Sequence, residues 1–180
     1  MDRPCIKSTD LITICGARGS GKTTWAKTMA KGFTGSEILV FDTLNEFNGI
    51  YPQYIPQSNK PEELAEVCRY VFYKGNMILI VSEAELYLPN TNYLLPDTLR
   101  LITQGRHRNT AIWADTRRIA SLSKTMFSLS EHVICYRQFS NNDIRYLEDF
   151  IPGAASVRDL PDYYFLYYYR GKSQIFPPLG

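Results

Sequence analysis

The run LITICGARGSGKTT occupies positions Leu11–Thr24. Leu11–Cys15 is largely apolar and reads as a short strand. Lys22–Lys31 reads as a helix, with Gly32 and Gly35 to stop it. Between them GARGSGKT, Gly16–Thr23, satisfies the pattern GxxxxGK[ST] in full. The composition has a direct physical reason. Glycines let the backbone wrap closely around phosphate oxygens, while loop amides and the helix amino end point at negative charge. Lys22 reaches the β- and γ-phosphates, and Thr23 offers its hydroxyl to magnesium. The expected nucleotide contacts are Gly16, Ala17, Arg18, Gly19, Ser20, Gly21, Lys22, Thr23 and Thr24, with ATP and Mg²⁺ as the ligands. Arg18 and Ser20 fill variable positions of the pattern and have no unique role assigned.

Outward from this loop, strand and helix patterns alternate. Ile38–Phe41 is a second strand, ending at Asp42. NGIYPQYIPQSNKP, with three prolines, reads as a loop. Pro61 opens a helix to about Tyr73, with Glu62 and Glu63 in the first turn, where the helix dipole favours them. Met77–Val81 is a third strand, an apolar run without alternation, as in a sheet buried on both faces. Asp97 is expected to cap a helix to about Gln104. Thr110–Ala114 is a fourth strand, followed by Asp115 and Thr116. Ser121 or Ser123 caps a short helix before the fifth strand, His132–Tyr136. Asp143–Phe150 reads as a helix. YYFLYYYRGKSQIF resembles a β-hairpin divided at Arg170–Ser173, whose tyrosines pack it against the sheet or a neighbour. The expected fold is α/β: a central, mostly parallel sheet flanked by helices, with a small C-terminal hairpin. Residues 1–180 read as one domain, with an amino-terminal arm at 1–10 and the hairpin and tail at about 161–180.

Composition sets wider bounds. The chain has 180 residues, 44% of them hydrophobic and 21% charged, with a net charge of +2. That is an ordinary globular balance, and bulk charge does not argue for nucleic-acid binding. Basic residues do cluster: Arg100, Arg106, His107, Arg108, Arg117, Arg118 and Lys124 share one short span. Four cysteines without a CxxC pair read as free thiols. Two histidines, His107 and His132, are too few for a zinc site. The amino end MDRPCIKSTD has no long apolar region, and no run of 18 apolar residues suggests a membrane span.

Three carboxylates end strands and can border the ligand, since the carboxyl ends of parallel strands face the crevice. They are Asp42, Glu83 and Asp115. Each has a simpler reading as a residue that caps a turn. Glu83 is the favoured base, because an apolar strand followed by glutamate suits a residue that orients water onto the γ-phosphate. Glu85, two residues on, is expected in solvent.

Together these residues resemble the HerA–FtsK division of P-loop ATPases, RecA-like folds that include DNA-pumping motors and viral genome-packaging ATPases. GARGSGKT matches the Walker A loop. ILVFDTLNEF resembles the family's strand, aspartate, short turn and Glu-aromatic pair, here Asp42, Glu46 and Phe47. MILIVSEAELYLP resembles the Walker B strand, in which Asp-Glu normally ends the apolar run. Glu83 matches the catalytic glutamate, and Ser82 replaces the magnesium-supporting aspartate. Gly105-Arg106-His107-Arg108 matches the helix-terminal Gly-Arg-His element, and Thr116 stands where a sensor glutamine is usual.

The resemblance covers about Leu11–Phe176. It implies a homo-oligomeric ring of five or six subunits and double-stranded DNA as partner. A neighbour's arginine, Arg106 or Arg108 with Arg117 and Arg118 behind them, would complete each site. It implies work in the host-cell cytoplasm, docked transiently on a viral procapsid through a portal or vertex protein. Thr23 and Ser82 would hold Mg²⁺; Glu83, Lys22, Thr116 and the arginine would carry the chemistry. Three alternatives stay open: a conjugation or phage-assembly ATPase, a small-molecule or nucleotide kinase, and a non-hydrolysing regulatory subunit.

Overall fold

A computed structural model of the chain describes residues 5–34, 37–91 and 93–179. Gly35, expected to help stop the first helix, lies outside these residues, as do positions 1–4 of the amino-terminal arm and Gly180. Eight strands form one sheet: β1 (Ile12–Cys15), β2 (Glu37–Phe41), β3 (Gln53–Tyr54), β4 (Met77–Val81), β5 (Ala111–Thr116), β6 (His132–Tyr136), β7 (Phe165–Tyr169) and β8 (Lys172–Phe176). Their spatial order is β3-β2-β4-β5-β1-β6-β7-β8. The first six are parallel, and β7 and β8 extend the sheet antiparallel at one edge. The strand carrying the phosphate loop is thus separated from β4, which leads to Glu83, by the intervening β5.

Among the described residues five α-helices complete the fold: α1 (Lys22–Ala30), α2 (Pro61–Lys74), α3 (Pro96–Gln104), α4 (Lys124–Leu129) and α5 (Asn141–Glu148). The apolar run of β4 is buried along its whole length because both faces are covered. Ile78 and Ile80 meet Trp25, Trp113, Ile12 and Ile14 on the α1 side. Met77, Leu79 and Val81 meet Leu64, Val71, Leu101 and Ile112 on the other. Period-two side-chain direction therefore sorts one uninterrupted apolar sequence into two cores.

Several local expectations are corrected. The proline-rich stretch contains β3, a two-residue parallel edge strand held when the Val40 amide donates to Pro52 O at 2.9 Å and the Asp42 amide to Tyr54 O at 2.9 Å. Helix α3 begins at Pro96 with Leu95 as its cap residue, so Asp97 sits in the first turn instead of capping it. Helix α5 starts two residues early because Ser140 accepts the Asp143 amide. Of the two candidate caps for α4, Ser123 is the one used. The β7–β8 turn is the pair Arg170-Gly171, both at positive φ (47° and 80°), so the hairpin is tighter than the four-residue break read from sequence.

At the amino end of the sheet, His132 is fully buried. Its Nδ1 lies 2.5 Å from Tyr167 Oη, and its Nε2 lies 3.0 Å from Asp10 Oδ2. This pins the chain before β1 to the β6–β7 edge. Tyr167→Phe would leave the His132 nitrogen without its partner in a dry site. It is expected to destabilise by about 1–3 kcal/mol in denaturant titration, against no change if the hydroxyl is idle.

Candidate active site

The carboxyl ends of β1, β2, β4, β5 and β6 converge on one edge of the sheet, and the loops leaving them build a pocket of about 330 Å³. Its walls are Arg18–Thr24, Leu44, Glu46, Ser82, Glu83, Asp115, Arg117 and Tyr163. The volume lies in the range of small-ligand sites, roughly 300–1,000 Å³.

The phosphate loop hangs between two strand ends. The Gly16 amide donates to Thr116 O at 3.3 Å, and the Ala17 amide to Arg137 O at 2.9 Å. Gly16 has φ 155°, and a Cβ there would meet Tyr136 Cβ at 2.5 Å. Only glycine permits that approach. Gly21, at φ 107°, forms the left-handed cap from which α1 springs, so the helix amino end opens into the pocket. The Ser20 hydroxyl in the same loop is buried and has no hydrogen-bond partner among the described residues. An orphaned donor beside inward-facing amides fits a phosphate oxygen.

Lys22 is nearly buried; its Nζ donates to Gly16 O at 3.1 Å and Ala17 O at 3.2 Å and lies 3.8 Å from Asp115 Oδ1. Burial pushes the Asp115 carboxyl up to about 7; Lys22 opposes the shift, and Glu85 and Glu46 reinforce it. Thr23 Oγ1 donates to Glu46 Oε2 at 2.7 Å. Glu46 is delivered by the loop after β2, where the Lys27 ammonium donates to its carbonyl at 2.6 Å.

Glu83 follows β4 with φ 49° and ψ 44°, a left-handed conformation that is uncommon for a side-chain-bearing residue. Its carboxylate pairs with the Arg117 guanidinium and accepts from Thr43 Oγ1 at 2.9 Å. The adjacent Ser82 Oγ accepts the Thr43 amide at 2.9 Å and lies 3.3 Å from Phe41 O, tying β4 to the end of β2. Glu85 is half-buried, contrary to the solvent position expected for it, and accepts the Arg117 amide at 3.2 Å.

The pocket therefore gathers Arg18–Thr24 of the phosphate loop with Ser82 and Glu83, while Gly16 and Ala17 are not among its walls. Asp42 and Thr116 stand apart. Asp42 is fully buried, with Oδ2 accepting the Phe47 amide at 2.7 Å and Oδ1 the Leu44 amide at 3.3 Å. It shapes the loop that carries Glu46 instead of facing the ligand. Thr116 ends β5 with its side chain on the face opposite Asp115, and its hydroxyl accepts the Arg118 amide at 3.2 Å.

Arg106 and Arg108 precede β5 and so occupy the amino edge of the sheet, about 20 Å of extended strand from the pocket of their own chain. Arg108 donates to Phe72 O and Tyr73 O, which closes the end of α2. A Cβ on Gly105 would meet Thr110 Oγ1 at 2.8 Å, so this glycine answers a packing need. Arg106 and His107 are exposed. Arg118 lies 3.3 Å from Asp143.

Glu46 and Tyr163 line the pocket without having been expected there; Asp115, one of the three strand-end carboxylates expected to border the ligand, lines it too, and Arg117, expected to complete a neighbour's site, lines the pocket of its own chain. For Glu46 the Glu-aromatic pair after Asp42 is a signal. Asp115 and Arg117 flank Thr116, and strand parity sets both apart from it only once the register is known. Tyr163 has no comparable signal.

No protein-family model matches the chain, and no curated protein matches its sequence. Solved structures do match in fold. The genome packaging NTPase B204 of Sulfolobus turreted icosahedral virus 2, in complex with ATP-gammaS, superposes with a TM-score of 0.82 at 18% identity, over 97% of this chain and 100% of that one. B204, the DNA-packaging ATPase of Sulfolobus turreted icosahedral virus, gives 0.78 at 19% identity over 97% and 99%. The pCW3 conjugation coupling protein TcpA, with ATPgS, gives 0.71 at 14% over 94% of this chain and 60% of that one. At these identities the likeness is one of fold, and the resemblance to P-loop packaging ATPases drawn from the sequence is met at that level.

The raised Asp115 carboxyl makes stability depend on pH with a defined sign. The folded chain holds this proton up to about pH 7, whereas an aspartate in water loses it near 3.8. Folding therefore loses stability as pH rises between those values, and the loss is complete above the upper one. Asp115→Asn removes that loss. The stability of the variant relative to wild type is expected to be about 2–3 kcal/mol more favourable at pH 8 than at pH 5 in denaturant titrations. A difference independent of pH would mean that Asp115 is ionised throughout.

Proposed function

We propose that this chain is an ATP-hydrolysing motor that moves double-stranded DNA, and that its role is viral genome packaging. The observation that carries the proposal is the single pocket in which a complete phosphate loop faces Glu83 and Arg117. The choice of packaging is supported by the end-to-end match to B204, set against a match to only part of TcpA.

ATP and Mg²⁺ suit the residues present. Loop amides, the Ser20 hydroxyl and Lys22 supply donors and positive charge for phosphate oxygens. The hydroxyls of Thr23 and Ser82 and the Glu46 carboxylate are hard oxygen donors of the kind Mg²⁺ selects. When bound, that cation neutralises charge building on the β- and γ-phosphates. The aspartate missing at Ser82 is offset by Glu46, whose carboxylate already bonds the Thr23 hydroxyl.

Glu83 has one oxygen on Thr43 and the other on Arg117. As the general base it has to leave Arg117, so that its carboxylate orients a water and takes a proton from it. The released guanidinium then lies within the pocket, where it stabilises negative charge on the phosphoryl oxygens. Arg117 would thus serve within one subunit, while Arg106, exposed on the opposite edge, is available to a neighbour in a ring of five or six. In this reading the protein works in the host cytoplasm, soluble there and docked on a procapsid vertex or portal. Among the described residues no helix is long and apolar enough to cross a membrane.

Glu83→Gln is expected to retain ATP binding while turnover falls by about 10²-fold or more; turnover near wild type would remove Glu83 as the base. Long double-stranded DNA is expected to raise the ATPase rate of an oligomer of defined mass. Turnover that requires a small phosphoryl acceptor would instead establish a kinase. Mixing Arg106→Ala subunits with Glu83→Gln subunits should restore part of the activity, and no restoration would exclude Arg106 as the residue donated across the interface.

A further inference from the structure

Tyr163 lines the phosphate pocket but is absent from the chemistry described above. It stands in the turn Pro161-Asp162-Tyr163-Tyr164, closed by the Tyr164 amide donating to Pro161 O at 3.2 Å. Its φ is 65°. The third position of such a turn with positive φ is ordinarily glycine or asparagine, and a bulky residue there is strained. The strain is not relieved by burial, since the residue is 56% exposed. Its neighbours in the same aromatic run behave otherwise: Phe165, Leu166 and Tyr167 are buried in the hairpin.

The ring is nevertheless fixed against the phosphate loop. A Cβ on Gly21 would come within 3.4 Å of Tyr163 Cδ1. Arg137 ties the turn to the end of β6. Its Nε donates to Leu160 O at 2.5 Å, and its guanidinium pairs with Asp162 at 3.0 Å. The Arg137 carbonyl meanwhile accepts the Ala17 amide of the loop. Tyr163 therefore presents an exposed aromatic surface beside Gly21, in the same pocket as Arg18 and Thr24.

We propose that Tyr163 is the platform on which the base of the bound nucleotide stacks. This rests on the reading of the pocket as a nucleotide site and adds to it the recognition of the base. One part of the pocket gathers charge, with the cations Lys22 and Arg117 suited to phosphates. Tyr163 offers a flat apolar face with its edge to water, which suits a heterocycle. Every base has a π-face, so the ring selects for the presence of a base and does not separate adenine from guanine.

The test compares magnesium complexes of ATP, GTP and inorganic tripolyphosphate by titration calorimetry, using wild type, Tyr163→Gly and Tyr163→Phe. Glycine suits the positive φ, so the turn survives loss of the ring. Tyr163→Gly is expected to weaken ATP and GTP about tenfold or more and tripolyphosphate less than about twofold, with Tyr163→Phe close to wild type. Equal weakening of all three ligands would show that the ring merely props the loop and would overturn the proposal. Unchanged ATP binding in Tyr163→Gly would overturn it as well. Wild type that binds tripolyphosphate at least as tightly as ATP would overturn base recognition and leave the phosphate site standing. Wild type that binds none of the three would overturn the nucleotide reading, and this proposal with it.

Discussion

The chain can enter its phosphate loop only because Gly16 lets the backbone press against β6. Any side chain would collide with Tyr136 backbone and Cβ, which belong to a strand clamped between β1 and β7 and have no room to retreat. That contact sets the height of the loop above the sheet. The bonds from Gly16 to β5 and from Ala17 to the residue after β6 then fix its tilt. The direction of α1, the aim of the loop amides and the reach of Lys22 all follow. The pocket is an outcome of strand order: a parallel sheet places five loops at one edge, and the loop hung between the central strands meets the ends of its neighbours.

Much of this is legible in the amino-acid sequence, for a physical reason. Phosphate binding by backbone amides needs glycines at fixed offsets along one continuous segment, so the signal is local and survives without a structure. The two-sided burial of β4 is also local, because apolar residues must fill every position. The assignments of Asp42 and Thr116 turn on a different kind of information. A carboxylate at a strand end can face the ligand or gather its own loop's amides, and Asp42 does the second. Thr116 and Asp115 are adjacent, so they point to opposite faces, and only the register against β1 tells which face borders the pocket. Arg108 looks like a free cation in sequence and proves to cap a helix thirty-odd residues earlier. Arg117 and Tyr163 reach the pocket through side-chain geometry that no spacing rule encodes.

The charge arrangement in the pocket is close to balanced. Glu46, Glu83 and Asp115 face Lys22, Arg117 and Arg18 across a small volume. Such a set is best tolerated when each carboxylate has a cation or donor near it. The Glu83–Arg117 pair and the Thr23–Glu46 bond meet that need without ligand, and the raised Asp115 carboxyl meets it by keeping its proton into the neutral range. An anionic ligand that enters with its own cation competes for these same partners. Binding and rearrangement of the side chains are then one electrostatic event.

The pairing of Glu83 with Arg117 also has a structural consequence. The segments after β4 and after β5 are stitched together well beyond the pocket. The Ser123 amide donates to Leu88 O at 2.7 Å, the Asn90 amide to Ser121 O at 2.8 Å, and Pro89 bridges Leu122. Asp143 of α5 accepts the Ala120 amide at 2.9 Å and lies beside Arg118. These links join Glu83, through the segments after β4 and β5, to α4 and α5, so the pocket and the outer helices share one continuous set of hydrogen bonds and ion pairs.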